Sequence, residues 1–159
     1  MVSLLQDAVH GGASIGFLSP LEVARAEAYW ESVLSEVEQG IRVLLVARQE
    51  NELHGTGIHG TVQLALATKQ NATHRAEVQK LFVHSQHRKR GIGGALLDTV
   101  DQEALRHGRH LLFLDTETGS PAERLYRKHG YVAAGEIPEF ARSPRGYLHS
   151  VLFMYRLLN

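Results

Sequence analysis

The sequence predicts one domain of the α/β (α+β) class, in which helices pack against a single central sheet. Its 159 residues suffice for one domain with a sizeable core. Segments with the apolar patterns of strands alternate with segments that carry helical periodicity and capping signals. Their order is helix, three strands, helix, strand, helix, two strands. No linker-like stretch divides the chain, so we expect residues 1–159 to fold as one unit.

The first half of the chain is predicted to contain a helix and three strands. Ser19-Pro20-Leu21-Glu22 is a capping-box pattern with proline at the first helical position, and it predicts a helix to about Glu38. The tripeptide His-Gly-Thr occurs at 54–56 and again at 59–61, which indicates a lengthened hairpin. In the third strand Ala76 and Val78 alternate with polar residues, and Lys80 is expected on their face. The predicted strands are Ile41–Arg48, Val62–Ala67 and Arg75–Val83.

The second half is predicted to contain two helices and three strands. Apolar residues at four-residue steps predict a long helix with one buried stripe, formed by Ile92, Leu96, Val100 and Ala104. Ser120-Pro121-Ala122-Glu123 is a second capping box, and the short helix that it opens should stop at Gly130. The predicted strands are His110–Thr116, Tyr131–Ile137 and Leu148–Leu157, the last two joined by a loop with Pro138 and Pro144.

The composition excludes several classes of protein. Lysine and arginine number 17, and so do aspartate and glutamate, so no overall field attracts nucleic acid or an acidic membrane. The absence of cysteine excludes thiol nucleophiles, disulfides and thiolate zinc sites, and it is typical of a cytoplasmic protein. No apolar run approaches the roughly 20 residues of a membrane span, and the N-terminus lacks a secretory pattern. We therefore expect neither nucleic acid nor a membrane as a partner.

A basic and glycine-rich segment, RKRGIGGALL at 88–97, predicts an anion site. Its glycines let the backbone approach a ligand, and they precede a helix whose first N–H groups are unpaired at the positive end of its dipole. Arg88, Lys89 and Arg90 add full charges there. These features favour a phosphate or pyrophosphate. The segment is not a Walker A loop and, because Leu96 replaces the third glycine, not a Rossmann loop.

Two motifs resemble those of the GNAT superfamily, the acetyl-CoA-dependent N-acetyltransferases. The strand RAEVQKLFV is followed by Arg88-x-x-Gly91-x-Gly93, which is similar to the superfamily's cofactor motif. Ala122-x-x-Leu125-Tyr126-x-x-x-Gly130-Tyr131 is similar to the pattern of its second half. Three further segments, at 10–14, 75–80 and 114–120, resemble the tabtoxin-resistance acetyltransferases, and this similarity runs through essentially the whole chain.

The resemblance implies a mixed, mostly antiparallel sheet flanked by helices, with some departures from the family. The family's first strand and most of its first helix have no counterpart here, so the strand Ile41–Arg48 would have an open edge. We expect a dimer or a shielding loop to cover it, or a natural start codon that lies upstream. The hairpin at 54–61 is longer than in the family. Many members place an asparagine where this chain has Gly119, so Ser120 or a backbone group would serve instead.

The resemblance also implies that acetyl-CoA is the cosubstrate and that no metal takes part. In this family the pantetheine arm inserts between two splayed strands, where backbone groups bind it and polarise the thioester carbonyl. The residues expected to bind the cofactor are Leu81, Phe82, Val83, Arg88, Lys89, Arg90, Gly91, Ile92, Gly93, Gly94, Ala95 and Ser120.

Three residues are expected to carry the chemistry. An amine with a pKa of about 10 is mostly protonated at neutral pH, so a base must remove a proton before the amine attacks. By the resemblance, Glu77 and Asp115 lie on the two splayed strands and face the cleft, and each is a candidate base or a ligand for the substrate's ammonium group. Tyr126 is the expected acid that protonates the departing thiolate.

We therefore expect an N-acetyltransferase for the primary amine of a small amino-acid-like or antibiotic-like molecule, an activity known from antibiotic resistance. The alternatives are an acetyltransferase of protein N-termini or lysines, and a catalytically silent acetyl-CoA-binding module. A serine hydrolase is disfavoured, because the Gly-x-Ser-x-Gly pattern around Ser14 does not follow a predicted strand. A metal site is disfavoured because the histidine pairs 84/87 and 107/110 lack a third ligand at a suitable spacing.

Overall fold

The structure, a computed structural model, describes residues 1–48 and 57–159. Within these residues it contains one six-stranded sheet and four α-helices. The strands are β1 (Arg42–Arg48), β2 (Ile58–Leu66), β3 (Arg75–Val83), β4 (Leu111–Glu117), β5 (Val132–Arg142) and β6 (Leu148–Leu157). The helices are α1 (Val2–His10), α2 (Val23–Glu38), α3 (Ile92–Arg106) and α4 (Pro121–Lys128).

The strands follow the order β1-β2-β3-β4-β6-β5 across the sheet. All neighbours pair in antiparallel fashion except β3 and β4, which run parallel. Parallel neighbours need a crossover connection, and α3 supplies it. The predicted fold class, a mixed and mostly antiparallel sheet flanked by helices, is confirmed.

Two apolar clusters hold the helices on opposite faces of the sheet. α3 and α4 cover one face, where Leu96, Val100 and Ala104 of α3 are buried, so the stripe predicted for this helix is confirmed. α1 and α2 cover the other face, with Trp30 among the buried residues of that cluster. We call these the α3–α4 cluster and the α1–α2 cluster.

The first predicted capping box does not form. α2 begins at Val23, its N-cap is Glu22, and no side chain caps it. Ser19 lies outside the helix, and its backbone N–H donates to the carbonyl of Pro144 at 2.9 Å, in the loop between β5 and β6. This contact joins distant parts of the sequence, so it overrides the local pattern. The end of α2 at Glu38 agrees with the prediction.

The second predicted capping box does form. The Ser120 hydroxyl accepts the N–H of Glu123 at 3.1 Å, and Pro121 is the first residue of α4. The Glu123 carboxylate in turn accepts the N–H of Gly119 at 2.6 Å. α4 ends at Lys128, shortly before Gly130, as predicted.

β5 is longer than predicted, because it passes through Pro138 and ends at Arg142 instead of Ile137. It is an edge strand with an irregularity in its pairing between Ile137 and Ala141, and an edge tolerates a residue without a backbone N–H. β2 is also longer than predicted at its start. The first copy of the repeated tripeptide, at 54–56, lies outside the described residues, whereas the second copy lies in β2.

β1 and β5 form the two edges of the sheet. The residues before His10 form α1, and none of them pairs with β1. The dimer or shielding loop expected at β1 stays a prediction. In the described part of the chain, no helix is both long and apolar enough to cross a membrane.

Candidate active site

The two central strands, β3 and β4, separate along their length. They pair only from Arg75 and Leu111 to Glu77 and Phe113. Beyond this point β3 continues to Val83 and β4 to Glu117, and the two strands no longer pair with each other. We call the opening between them the wedge. The edge of β3 along the wedge has backbone groups outside the ladder, and these are free to pair with an extended ligand.

A β-bulge in β3 lies beside the wedge. Thr61 of β2 pairs with Phe82, and Gln63 pairs with Gln79, so β3 contains one residue more than β2 in this interval. Lys80 lies in the bulge with a φ of 53°, in the left-handed region that non-glycine residues rarely adopt.

The bulge reverses the alternation of side chains along β3. Ala76 and Val78 are buried in the α3–α4 cluster, whereas Phe82 is buried in the α1–α2 cluster. The Nζ of Lys80 lies 3.4 Å from the position that a Cβ on Gly16 would take, in the loop between α1 and α2. The expectation that Lys80 shares the face of Ala76 and Val78 is therefore wrong, because the extra residue turns it to the α1–α2 face.

A polar network under α2 fixes the residue before the bulge. The Arg42 guanidinium donates to the side-chain oxygens of Gln63 and Gln79, at 2.8 Å each, and pairs with Glu36 at 2.7 Å. The fully buried Gln63 donates its amide N–H to the Tyr29 hydroxyl at 2.8 Å. Because buried polar groups must be paired, these bonds set the position of Gln79 and thereby of the bulge.

The two predicted carboxylates lie at different depths along the wedge. Glu77 is at its closed end, where it is half-buried and paired in register with Phe113. Asp115 lies further along β4, where the strands have separated, and it is exposed. Leu112 and Leu114 are buried in the α3–α4 cluster, so by alternation Phe113 and Asp115 face the opposite side of the sheet.

Lys80 lies close to both carboxylates. Burial lowers the pKa of the Lys80 ammonium, the charges of Asp115 and Glu77 oppose that shift, and Arg42 adds to it. The structure thus brings together Glu77, Asp115 and a cation that the sequence analysis had assigned to the core face. The sequence contained one signal for it, a lysine at a position where the alternation calls for an apolar side chain.

Tyr126 approaches the wedge from α4, on the opposite face of the sheet. Its side chain is almost fully buried, and its ring packs edge-on against Tyr131 with the ring centres 5.5 Å apart. Burial, and then the charge of Asp115, raises the pKa of the Tyr126 phenol well above its ordinary value. The residue therefore keeps its proton at neutral pH, close enough to Asp115 to sense its charge.

The segment before α3 has the geometry of an anion site. Gly91 is the N-cap, with a φ of 84°, and no side chain caps the helix. The first intrahelical bond is made by Ala95, which leaves the N–H groups of residues 92–94 without helical partners. A Cβ on Gly91 or Gly94 would meet no atom within 4 Å, so the space beside both residues is open. Arg88, Lys89 and Arg90 are exposed around it.

Two of the residues expected at the cofactor have packing roles. A Cβ on Gly93 would stand 3.0 Å from the Leu125 side chain, so this glycine permits the close approach of α3 and α4. The Ser120 hydroxyl caps α4 and lies 3.4 Å from the Thr116 hydroxyl. Substitution of either residue would disturb packing or capping as well as any ligand.

The C-terminal end of β3 is tied down by side chains on both sides. The Arg88 guanidinium donates to the carbonyl of Val83 at 3.0 Å. The Asp7 carboxylate of α1 accepts the hydroxyl of Ser85 at 2.6 Å and its backbone N–H at 2.8 Å. Of the three β3 residues expected to bind the cofactor, Phe82 has its side chain in the α1–α2 cluster and its backbone paired with Thr61 of β2, so Leu81 and Val83 are the two that turn backbone N–H groups to the wedge.

The loop between α1 and α2 forms one wall of a cavity on the α1–α2 face of the sheet. The cavity, of about 260 Å³, is lined by this loop and by Ala141 and Arg142 of β5. The Ser14 hydroxyl lies 2.8 Å from Nε2 of His149, whose Nδ1 lies 3.1 Å from the Ser150 carbonyl. Ser14 follows α1, not a strand, so it does not occupy a hydrolase nucleophile elbow.

The histidines do not form a metal centre in the described part of the chain, where no three histidine, aspartate or glutamate side chains are placed to hold an ion. His59 and His87 stack with their ring centres 3.7 Å apart. His84 lies 3.9 Å from the Asp7 carboxylate.

Residues 40–133, more than half of the chain, match the sequence profile of the acetyltransferase (GNAT) domain. A curated relative, the L-methionine sulfoximine/L-methionine sulfone acetyltransferase of Pseudomonas aeruginosa, is 22% identical over 140 residues, which cover 87% of this chain and 77% of the relative.

Two solved structures share the fold over nearly all of the chain. The ribosomal-protein-alanine N-acetyltransferase of Brucella melitensis aligns with a TM-score of 0.78 and 23% identity, covering 99% of this chain and 91% of that one. The phosphinothricin acetyltransferase of Sinorhizobium meliloti, solved in complex with acetyl-CoA, aligns with a TM-score of 0.77 and 18% identity, covering 99% and 81%.

Proposed function

The chain belongs to the GNAT family of acetyltransferases, and from this premise we propose that it acetylates the primary amine of a small amino-acid-like molecule. The enzyme is an acetyl-CoA-dependent N-acetyltransferase. The proposal is supported by the placement of Glu77 and Asp115 on the two strands that border the wedge, with Tyr126 near enough to Asp115 for its charge to act on the phenol, and by the uncapped start of α3.

The described residues fit acetyl-CoA. The unpaired N–H groups at residues 92–94, the open space beside Gly91 and Gly94, and the exposed side chains at 88–90 suit a pyrophosphate. The free backbone edge of β3 suits the amides of a pantetheine chain. When bound, the cofactor supplies a thioester as the acetyl donor. The backbone N–H groups of Leu81 and Val83, which alternate with the one that Phe82 turns towards β2, would hold its carbonyl oxygen.

Glu77 and Asp115 would receive the acceptor's ammonium group and remove one of its protons. The two carboxylates stand on the same face of the wedge, and a cationic amine between them is attracted by both. Glu77 is our first choice as the base, because its half-buried position at the closed end restricts competing water. Asp115 then serves as the ligand that orients the ammonium group.

Tyr126 would stabilise the departing sulfur. Its phenol keeps its proton because burial raises its pKa, so it remains a hydrogen-bond donor throughout neutral pH. Hydrogen bonding from this hydroxyl matters most when charge develops on the sulfur, which is where an interaction accelerates the reaction.

A small acceptor is supported by two observations. The curated relative and one structural neighbour are named for amino-acid-like substrates, methionine sulfoximine and phosphinothricin. In this chain the cavity that we assign to the acceptor is bordered by the α1–α2 loop and the end of β5, and the hydrogen bond from Ser19 to Pro144 ties that loop to the β5–β6 loop. A protein N-terminus is the competing acceptor, since the Brucella melitensis neighbour is named for one.

The test is the release of free thiol from acetyl-CoA with a panel of acceptors: L-methionine sulfone, L-methionine sulfoximine, phosphinothricin and an alanine-initiated peptide. We expect turnover with at least one small amino-acid-like compound and none with the peptide. The Glu77→Gln variant serves as the inactive control, and Arg106→Ala, a surface change at the far end of α3, as the active control. Turnover of the peptide alone would overturn the proposal.

A further inference from the structure

Lys80 lies beside the wedge but has no role in the proposed acetyl transfer, which uses Glu77, Asp115 and Tyr126. Its backbone is held in the left-handed region by the bulge, although no glycine is present there. Such backbone strain persists only where the surrounding structure enforces it, and it concentrates at functional sites. Here the enforcement comes from the Arg42–Gln79 hydrogen bond immediately before the bulge.

The environment of Lys80 is unusual for a structural cation. In the residues that the structure describes, no carboxylate oxygen lies within 4.0 Å of its Nζ, although Asp115 and Glu77 are near enough for their charges to act on it. Its ammonium group lies against Gly16, which lines the 260 Å³ cavity on the acceptor side. A lysine held in this way offers three donors to an incoming anion.

We propose that Lys80 binds a carboxylate of the acceptor and that the enzyme therefore selects α-amino acids and their analogues over simple amines. This inference rests on the proposed function. The acceptor would lie along the wedge, with its ammonium group at Glu77 and Asp115 and its carboxylate at Lys80. The negative charges of Glu77 and Asp115 and the positive charge of Lys80 would fix the orientation of the bound acceptor.

Arg142 lines this cavity directly, whereas Lys80 reaches it beside Gly16, and the two cations differ in two further ways. Arg142 is exposed, and its guanidinium already donates to the carbonyl of Gly146 at 3.0 Å. Lys80 is less exposed, and an ion pair gains strength as water is excluded. The recognition of the anion is therefore assigned to Lys80.

A purely electrostatic role for Lys80, in which it only tunes the carboxylates, predicts a different result. Loss of the cation would then change the pH–rate profile equally for acceptors with and without a carboxylate. If Lys80 binds the carboxylate, its loss instead raises KM for the acceptor that has a carboxylate and leaves KM nearly unchanged for the acceptor that lacks one. The comparison of two acceptors that differ only in this group separates the roles.

The experiment compares L-methionine sulfone with its carboxamide in the wild type, Lys80→Met, Lys80→Arg and the control Lys128→Met, which changes an exposed lysine of α4. We expect Lys80→Met to raise KM for the acid about 10- to 100-fold, as the loss of a charged hydrogen bond does. KM for the carboxamide should change less than about threefold, and Lys80→Arg should recover part of the loss. Equal effects on both acceptors would overturn the inference while leaving the proposed function intact.

A binding measurement decides the matter even if neither acceptor is turned over or Lys80→Met fails to fold. The chain has four lysines, so wild-type protein labelled at the lysine side chains gives a simple NMR spectrum, in which the Lys80 signal is the one absent from Lys80→Arg. With CoA present, the acid should shift the Lys80 signal, and the carboxamide should not. The same shift with both compounds, or none with the acid, would overturn the inference. Absence of turnover across the whole panel would separately overturn the proposed function.

Discussion

The two strands that border the wedge are built differently. β3 is enclosed by helices on both faces, is fixed by the Arg42 network and ends in two side-chain ties. β4 is fully laddered to β6, but on the side of Asp115 it carries no helix from the described residues, and Asp115 is exposed. β3 thus holds Glu77 and Lys80 in an enclosed setting, whereas β4 leaves Asp115 exposed to solvent.

The largest expected effect separates the two carboxylates. If Glu77 is the base, Glu77→Gln should lower kcat by about 10²–10⁴-fold, the range of a positioned base, and the fall in rate at low pH should flatten. Asp115→Asn should act mainly on KM for the acceptor and keep that pH dependence. Full pH–rate profiles of both variants measure the difference. If Asp115→Asn instead lowers kcat and flattens the pH dependence while Glu77→Gln raises KM, Asp115 on β4 is the base.

A smaller effect is expected from removing the Tyr126 hydroxyl. Tyr126→Phe keeps the ring that packs on Tyr131 and removes only the hydrogen-bond donor. We expect kcat to fall by about 10²-fold, with the affinity for acetyl-CoA unchanged, because a group that acts in the transition state need not bind the ground state. Calorimetry and steady-state kinetics on the same preparation test this. A matching loss of affinity would show that the residue shapes the cofactor site instead.

Removing the basic side chains between β3 and α3 should moderately weaken the binding of acetyl-CoA without changing the chemical step. Lys89→Ala and Arg90→Ala should each weaken acetyl-CoA binding by about 10-fold, since a charged hydrogen bond contributes about 1.5–3 kcal/mol. Arg106→Ala removes an exposed arginine from the other end of α3 and should leave affinity unchanged. These replacements avoid Gly93, whose contact with Leu125 would confound the result. Unchanged affinity in both variants would place the anion site elsewhere.

The smallest effect concerns stability, at the tie between α1 and the end of β3. Burial raises the pKa of Asp7, but the bonds from Ser85 and the charges of His84 and Arg88 outweigh it and lower the pKa below 3.8. The contribution to stability is therefore present above the unfolded pKa of about 3.9 and is lost as the pH falls through the lower folded value. Asp7→Asn should cost about 1 kcal/mol at pH 7 and progressively less below pH 4.

Denaturant unfolding at several pH values measures this cost. The matched control is Glu27→Gln, which changes an exposed carboxylate of α2. If the loss of unfolding free energy in Asp7→Asn does not diminish at acidic pH, the loss comes from packing and not from the charge of Asp7.

The two Ser-Pro-x-Glu patterns, at 19–22 and 120–123, show how far the sequence alone predicts this structure. At Ser120 all partners lie within a few residues, so the local pattern sufficed to predict the start of α4. At Ser19 the decisive partner is Pro144, far along the chain, and the same pattern failed. Element order and the buried stripe of α3 were predictable because they depend on local periodicity.

The site was predictable only in part, for a similar reason. The loop before α3 is a local motif, and its glycines and arginines could be recognised directly. The bulge at Lys80 is defined by its register against β2, which no single segment encodes. A one-residue change of register reverses every side chain that follows, so Lys80, which the alternation placed on the face of Ala76 and Val78, lies on the α1–α2 face instead.

The gap between β3 and β4 also links the stability of the fold to the occupancy of the cofactor site. A sheet with an incomplete ladder at its centre lacks hydrogen bonds that a bound thioester cofactor can supply, and a ligand that binds only the folded chain stabilises it. At a free concentration 100 times Kd, this linkage is worth about 2.7 kcal/mol, a large share of a typical domain's stability. We therefore expect the chain to resist denaturant and proteolysis better with acetyl-CoA bound than with the site empty.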